Sequence, residues 1–299
     1  MGNNMHASVQ ANKDMPKVSI GLLVYNESRY IELSVRSLLE LQYPNLEIII
    51  SDNASTDDTV EIINNIIKND KRVHFHQFET NQGVHANFLY VNAYATGKYF
   101  MMASGHDLWS QDLVTECVHL LENHPDAMIA FGTPVWINSE GEKTGPNTGW
   151  TDTRGLDIVG RFMSVFWGNM NPILGLIRTN ALPDLNTYYD GVGTDLILLL
   201  ELVLKGNFVH AHKASFCRRQ PRKQESYPQK LSRYKNKDTK IAKTFLSRLF
   251  PLFKLPYEIL RVIVDSKIGL GTKLVLIILI VPAFPIKYIL GKRAHNAST

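Results

Sequence analysis

The chain has 299 residues, 44% of them hydrophobic and 20% charged, the composition of a folded protein able to bury a sizeable core. Only two cysteines, Cys117 and Cys217, are present, which excludes a disulfide framework and fits buried thiols in a reducing compartment. The formal net charge of +4 is unevenly divided: residues 1–217 carry 14 basic and 24 acidic side chains, net −10, whereas residues 218–299 carry 18 and 4, net +14, and this second part is too apolar for a nucleic-acid-binding arm.

Residues 1–16 mix Asn, His, Gln, Lys and Asp without an apolar run, so they read as a loose cytosolic leader and not as a signal peptide or anchor. Gly2 follows Met1, but His6 stands where an acylation motif wants Ser or Thr. From Val18 onward short apolar runs at 18–24, 46–51, 73–78, 99–104 and 128–137 predict strands. The segments 28–41, 57–67, 85–95 and 111–123 repeat apolar residues every three or four positions and predict helices between them. That alternation is the mark of parallel βαβ units, and strands this apolar predict a three-layer α/β/α sandwich with its ligand outside the carboxyl ends of the strands. Residues 139–155, rich in Gly, Thr, Asn, Pro and charge, predict a long exposed loop suited to a substrate lid. An apolar helix over 194–205 and a strand over 207–216 close the pattern, which stops beyond Arg219; no internal repeat is present.

The first strand ends in Val24-Tyr25-Asn26-Glu27 and the second in Ser51-Asp52-Asn53-Ala54-Ser55-Thr56-Asp57, both where a parallel sheet presents its ligand. Asp57 and Ser55 serve equally as caps for the next helix. Asp52 ends a strand, exposed, where a carboxylate accepts from the imide N–H of a uracil-type base.

These segments, with Pro16-Lys17-Val18-Ser19-Ile20, Tyr43-Pro44-Asn45-Leu46, Asn81-Gln82-Gly83 and Gly97-Lys98-Tyr99, resemble in order the N-terminal half of family-two inverting glycosyltransferases with the GT-A fold. The resemblance extends more loosely to Arg219. It implies that Val24, Tyr25, Asn26, Glu27, Asp52, Asn53 and Gly83 line a nucleotide pocket. After the fourth strand such enzymes carry an Asp-x-Asp-type motif that holds a divalent metal on the diphosphate. Here the segment reads Ser104-Gly105-His106-Asp107-Leu108-Trp109, so Ser104 and His106 stand in the carboxylate positions and only Asp107 is acidic. Ser104 and Gly105 are assigned to the donor, and His106 and Asp107 to the metal, Mn²⁺ suiting imidazole better than hard Mg²⁺. A hydrogen-bonded turn is the other reading of His106.

Inverting transfer needs a base on the acceptor hydroxyl, and a carboxylate at a helix start suits it. Gly193-Thr194-Asp195-Leu196 lies at the matching point, with Thr194 in place of the first acid of a pair and Asp195 kept. Asp195 is the expected base, Asp190 the reserve, and stabilisation of the helix dipole the alternative role for Asp195. Asn171 to Arg178 resembles the acceptor-side strand, and Arg218-Arg219 the closing basic pair, from which Arg218 or Arg219 reaches the diphosphate on a mobile loop, or both remain solvated. His210 and His212 alternate on one strand and share a face, as ordinary histidines or a further ligand.

In the tail, residues 274–286 form an uninterrupted apolar run of 13 between Lys273 and Lys287, shorter than the roughly 20 residues of a spanning helix and broken by Pro282 and Pro285. With its cations this predicts an interfacial or re-entrant anchor on the cytoplasmic face of a membrane; a helical lid or a homo-oligomer contact is the alternative. The resulting expectation is a GT-A domain over 17–220 with its nucleotide pocket complete before the tail at 221–299. It uses a nucleotide-sugar donor, most simply a UDP-sugar, and a glycan or lipid-linked acceptor in surface polysaccharide or glycolipid synthesis, with no nucleic-acid partner. A nucleotidyltransferase is disfavoured, because Tyr25-Asn26-Glu27-Ser28 is not a glycine- and basic-rich phosphate loop. A non-catalytic sugar-nucleotide-binding or scaffold protein is the rival, prompted by Ser104 and His106.

Overall fold

The computed structural model describes residues 15–145, 152–182, 191, 193–220 and 254–297. Its first half alternates as expected: β1 (Val18–Val24), α1 (Ile31–Leu39), β2 (Leu46–Asp52), α2 (Thr59–Ile67), β3 (Val73–Gln77), α3 (Gly83–Tyr94) and β4 (Tyr99–Ser104). There follow β5 (Leu108–Trp109), α4 (Leu113–Asn123), β6 (Ala127–Ile137), α5 (Ile158–Trp167), β7 (Leu176–Arg178), α6 (Thr194–Lys205), β8 (Asn207–Arg219), α7 (Lys254–Asp265) and α8 (Leu270–Ala297). One sheet has the order β3-β2-β1-β4-β7-β6-β8-β5.

The pairs β1–β2, β1–β4 and β2–β3 are parallel, so the ends of β1, β2 and β4 open at one edge. Beyond β4 the sheet is mixed: β7 runs antiparallel to both β4 and β6, and β5 antiparallel to β8. β5 and β7, of two and three residues, are too short to show an alternation of their own. In β2 the two-residue period is plain, with Ile48 and Ile50 in the main core alongside α1 and Ile49 in a second cluster with Phe88, Val91 and Phe100. Helices therefore cover both faces of the parallel half. At Gly21 an added Cβ would lie 2.7 Å from Val91 Cγ2, so α3 approaches β1 as closely as glycine allows.

At the amino end of this sheet the buried Glu47 receives the Ser19 hydroxyl (2.5 Å) and the Thr96 amide (2.8 Å) and pairs with the Lys17 ammonium (2.5 Å). Burial alone would raise its pKa, but bonds from Lys17, Ser19 and Thr96 outweigh it and hold the carboxyl at about 2. A depressed folded-state pKa gives stability that is present above the usual carboxylate range and lost as pH falls through the folded value. Glu47→Gln is expected to cost about 2 kcal/mol at neutral pH, as a buried charged hydrogen-bond partner is lost. In urea melts the difference from wild type should close as pH falls from about 4.5 towards 2.

Part of the predicted loop at 139–155 is ordered turn, with the Glu140 and Glu142 amides donating to Asn138 Oδ1 and Ile137 bridging to Lys143; residues 146–151 lie outside the described residues. α5 was not expected from the sequence. It starts at Asp157, whose side chain accepts from the Gly160 amide (2.7 Å) as an N-cap.

The apolar core does not stop at Arg219. Ile259, Val262 and Ile263 of α7 and Leu276, Ile280 and Ala283 of α8 are buried in the same cluster as the sheet. Lys287 donates to the Phe166 carbonyl and lies 4.9 Å over its ring, pinning α8 to α5. Pro282 and Pro285 do not break the helix: both lie on its exposed side, where the carbonyls their rings push aside can turn to the surroundings. The window Leu270–Lys287 is long and apolar enough to cross a membrane by length and composition, with 17% of it buried, against the shorter run read from the sequence.

Candidate active site

Val24 is buried and the chain leaves β1 through Tyr25, 43% exposed. Asn26 (φ 52°) and Ala54 (φ 61°) both adopt the left-handed conformation, which costs an alanine about 1–2 kcal/mol. The strain is held by a lattice between the two strand ends. The Asn26 amide donates to Ser55 Oγ (2.8 Å), Asn26 Oδ1 accepts from the Thr56 amide (2.8 Å), and the Glu27 amide donates to Thr59 Oγ1 (2.8 Å). Asp57 takes the Ser28 amide (3.1 Å) and the Thr59 hydroxyl (2.5 Å), which makes it a tie between the two turns as well as a brace for the first turn of α2. Burial would raise the Asp57 pKa, yet the bonds from Thr59 and Ser28 bring it below its ordinary value.

Asp52 is not exposed, as its place at a strand end suggested, but fully buried. The turn after β2 folds back over it: the Ser55 amide donates to Oδ1 (2.9 Å) and the Ser55 hydroxyl to Oδ2. Asn53 is also buried and joins β2 to α3, donating to Asn81 Oδ1 (3.1 Å) and accepting from the Gln82 amide (2.8 Å). Asn81 Oδ1 in turn accepts from the Gly83 amide (3.0 Å), and Gly83 takes φ +88° with open space where a Cβ would stand. Beneath Val24 lies Asn87, which the sequence reading missed. It is buried, its Nδ2 donates to the Val24 carbonyl (3.4 Å), and its Oδ1 has no partner among the described residues. An amide on the buried stripe of α3, between Ala86 and Phe88, was the available signal.

At the end of β4, His106 Nδ1 lies 2.8 Å from Glu27 Oε1, which joins two residues separately assigned to metal and donor. Gly105 fits under Glu27, whose Cγ would be 2.9 Å from an added Cβ. Asp107 is buried and committed on both oxygens, Oδ2 to the Ser104 hydroxyl (2.6 Å) and Oδ1 to the Arg219 amide (2.8 Å). Arg219 ends a strand and does not sit on a mobile loop. It is 5% exposed, and its guanidinium donates to the carbonyls of His106 (3.0 Å), Asn138 (2.9 Å) and Ser139 (3.1 Å) while lying 4.6 Å from the Tyr30 ring centroid.

Its neighbour Arg218 turns the other way, donating to Asn171 Oδ1 (2.6 Å) and resting 5.3 Å from the Trp136 ring centroid. Arg218 also acts on Asp195, in the first turn of α6, so Asp195 belongs to the same end of the sheet as His106 and Asp107. Protein atoms enclose the Asp195 carboxyl although the residue keeps an edge of solvent contact. Burial pushes its pKa upward and the Arg218 charge opposes the rise. Asp190 lies outside the described residues. His210 and His212 do share a face, 4.1 Å apart, but His210 stacks on Phe131 and bonds to Thr133 within the sheet; burial first, then His212, lowers its pKa.

A family model described as glycosyl transferase family 2 matches residues 19–172, just over half of the chain, and spans this lattice through Asn171. The chain belongs to glycosyl transferase family 2. Relatives include an uncharacterized glycosyltransferase of Haemophilus influenzae, 34% identical over 44% of this chain and 52% of that protein. The putative glycosyltransferase EpsE of Bacillus subtilis is 34% identical over 42% of this chain and 45% of its own length. The putative teichuronic acid biosynthesis glycosyltransferase TuaG of the same organism is 35% identical over 32% and 38%. The matched stretch thus spans about half or less of these relatives. S. aureus TarS residues 1–349, solved with UDP-GlcNAc, superposes with a TM-score of 0.66 at 15% identity, covering 87% of this chain and 70% of that one, which establishes the GT-A-like α/β fold.

Family 2 members often hold a divalent metal. Of the two expected ligands, Asp107 is buried with both oxygens bonded inward, and His106 has Nδ1 held by Glu27, so the pair offers a cation at most one ring nitrogen. Among the described residues no three His, Cys, Asp or Glu side chains gather as a metal set.

Proposed function

We propose that this family 2 protein transfers a sugar from a UDP-linked donor to a glycan or lipid-linked acceptor, with inversion at the anomeric carbon. The observation that carries this reading is the lattice that ties the ends of β1 and β2 together at one edge of the sheet, with the enclosed Asp195 carboxyl within reach of the Arg218 charge. In this reading the uracil and ribose lie over the exposed Tyr25 and the Asn26 turn, while the buried Asp52 and Asn53 hold the two turns in place beneath them. The acceptor hydroxyl oxygen attacks C1 as the bond from C1 to the β-phosphate oxygen breaks. UDP departs with the electron pair, and the hydroxyl proton passes to Asp195. A base whose pKa lies above the ordinary carboxylate range takes that proton more readily as the bond forms. TarS solved with UDP and with UDP-GlcNAc, and relatives named for polysaccharide synthesis, support the same donor class. Incubation with a panel of UDP-sugars and a bacterial lipid extract tests it, reading UDP release and the anomeric configuration of the product. No release with any UDP-sugar, or a product that retains configuration, rejects the reading.

The same proposal places the protein on a membrane surface. α8 buries Leu276, Ile280 and Ala283 against the domain and exposes Leu270, Leu274, Ile278, Val281 and Ile286 on its other side. From Ser266 to the last residue there are five Lys or Arg and no Asp or Glu. An apolar strip flanked only by cations suits anionic lipid, each cation adding about 1 kcal/mol near the surface. The full chain should sediment with anionic vesicles, more weakly in high salt as charges are screened. Equal indifference to anionic and neutral vesicles would make the strip a protein contact.

A further inference from the structure

We propose that the donor diphosphate in this enzyme is met by the His106 side chain, braced by Glu27, in place of a divalent cation. The inference rests on the UDP-donor reading and concerns how that same site handles charge. A hard cation on a diphosphate takes its protein ligands as oxygen, usually one or two carboxylates turned towards it, and a borderline cation needs more than a single imidazole. The one carboxylate left in this motif, Asp107, is turned the other way. Its Oδ1 holds the Arg219 amide and its Oδ2 the Ser104 hydroxyl, and it is 2% exposed. Turning it outward would leave the part-buried Ser104 hydroxyl and the buried Arg219 amide without their acceptor. It would also unfasten the junction between β4 and β8, since Arg219 closes that junction a second time through the His106 carbonyl.

The place left by the missing carboxylate is filled by an imidazole that is itself fixed. Nδ1 lies 2.8 Å from Glu27 Oε1, the pair is only 27% and 18% exposed, and Gly105 packs so closely on Glu27 that no side chain fits there. Glu27 follows the left-handed Asn26, and its own amide is tied to Thr59, so the brace belongs to the rigid lattice of the β1 end. The geometry is that of a positioned ring at the end of β4, where the resemblance places the diphosphate. It offers an ion one imidazole and no second carboxylate turned outward in the motif.

Calorimetric titration of UDP into the full chain, after chelation and again with Mn²⁺ or Mg²⁺, tests this without needing the acceptor. The affinity should be the same in all three within about twofold. His106→Asp, which sets a second carboxylate beside Glu27, should bind UDP weakly after chelation and regain at least about tenfold with Mn²⁺, because two facing carboxylates and a diphosphate make an oxygen cage. His106→Gln, which keeps a nitrogen donor towards Glu27, should remain indifferent to Mn²⁺, and thermal melts of both variants confirm folding. A wild-type affinity that falls tenfold or more on chelation overturns the inference while leaving the donor reading standing. A folded His106→Asp that stays indifferent to Mn²⁺ overturns it too, since the imidazole would not be what displaces the cation. Absence of UDP binding under every condition overturns the donor reading and this inference together.

Discussion

Asp195→Asn should lower sugar transfer by about 10²–10⁴-fold, the usual contribution of a positioned general base, and leave UDP affinity unchanged. The amide fills the same space but does not take the acceptor's proton. The enclosed position of the side chain adds a second signature. Burial raises the Asp195 pKa and Arg218 opposes that rise, so the acid limb of kcat/KM should lie above the range of an ordinary carboxylate. The base works only when deprotonated, so activity falls as pH drops through that raised value. Arg218→Gln removes the opposing charge and should move the acid limb to still higher pH. Transfer at near wild-type rate by Asp195→Asn places the base elsewhere, with Asp190 the next residue to replace.

Truncation after Arg219 should give an insoluble or unfolded protein, although the elements that frame the donor lattice all precede that residue. The tail supplies Ile259, Val262, Ile263, Leu276 and Ile280 to the core, each at most 5% exposed. A fully buried aliphatic side chain contributes about 1.5–3 kcal/mol, so five of them match the roughly 5–15 kcal/mol by which domains are stable. The contact reaches the site: at Gly193 (φ +88°), two residues before Asp195, an added Cβ would lie 2.8 Å from Leu255 Cδ1 of α7. By contrast, Ile278→Ser with Val281→Ser changes only the outward strip and should keep the wild-type melting temperature. Comparison of soluble yield and thermal melts checks both arms. A soluble, cooperatively melting truncation that binds UDP would show that the tail is an appendage.

The parallel half of the fold was legible because each strand and helix from Val18 to Ser104 carries a full period of its own pattern. β5 was not, and β7 was reached only through the resemblance of residues 171–178 to an acceptor-side strand, since two or three residues hold no period and their pairing depends on distant partners. The polar clusters after β1 and β2 were placed correctly at the sheet edge. What each side chain does there was harder to read, because it depends on which way the turn folds. Asp52 looked exposed from its position in the chain and is buried by Ser55, three residues on, through a turn geometry that sequence spacing does not encode. Arg218 and Arg219 looked alike as a basic pair, yet adjacent strand residues face opposite ways, so one braces the His106 turn and the other stands beside Asp195. The tail's composition was clear from the sequence, but its inner face was hidden, because a helix apolar nearly all round does not show which side meets a core.

The most direct test of the central claim is calorimetric titration of the intact protein with UDP and, in parallel, with ADP. The account predicts saturable one-to-one binding of UDP and markedly weaker binding of ADP, whose larger purine does not match a site for uracil at the turn from Tyr25 to Asn26. Binding of neither nucleotide, or equal binding of both, would contradict it.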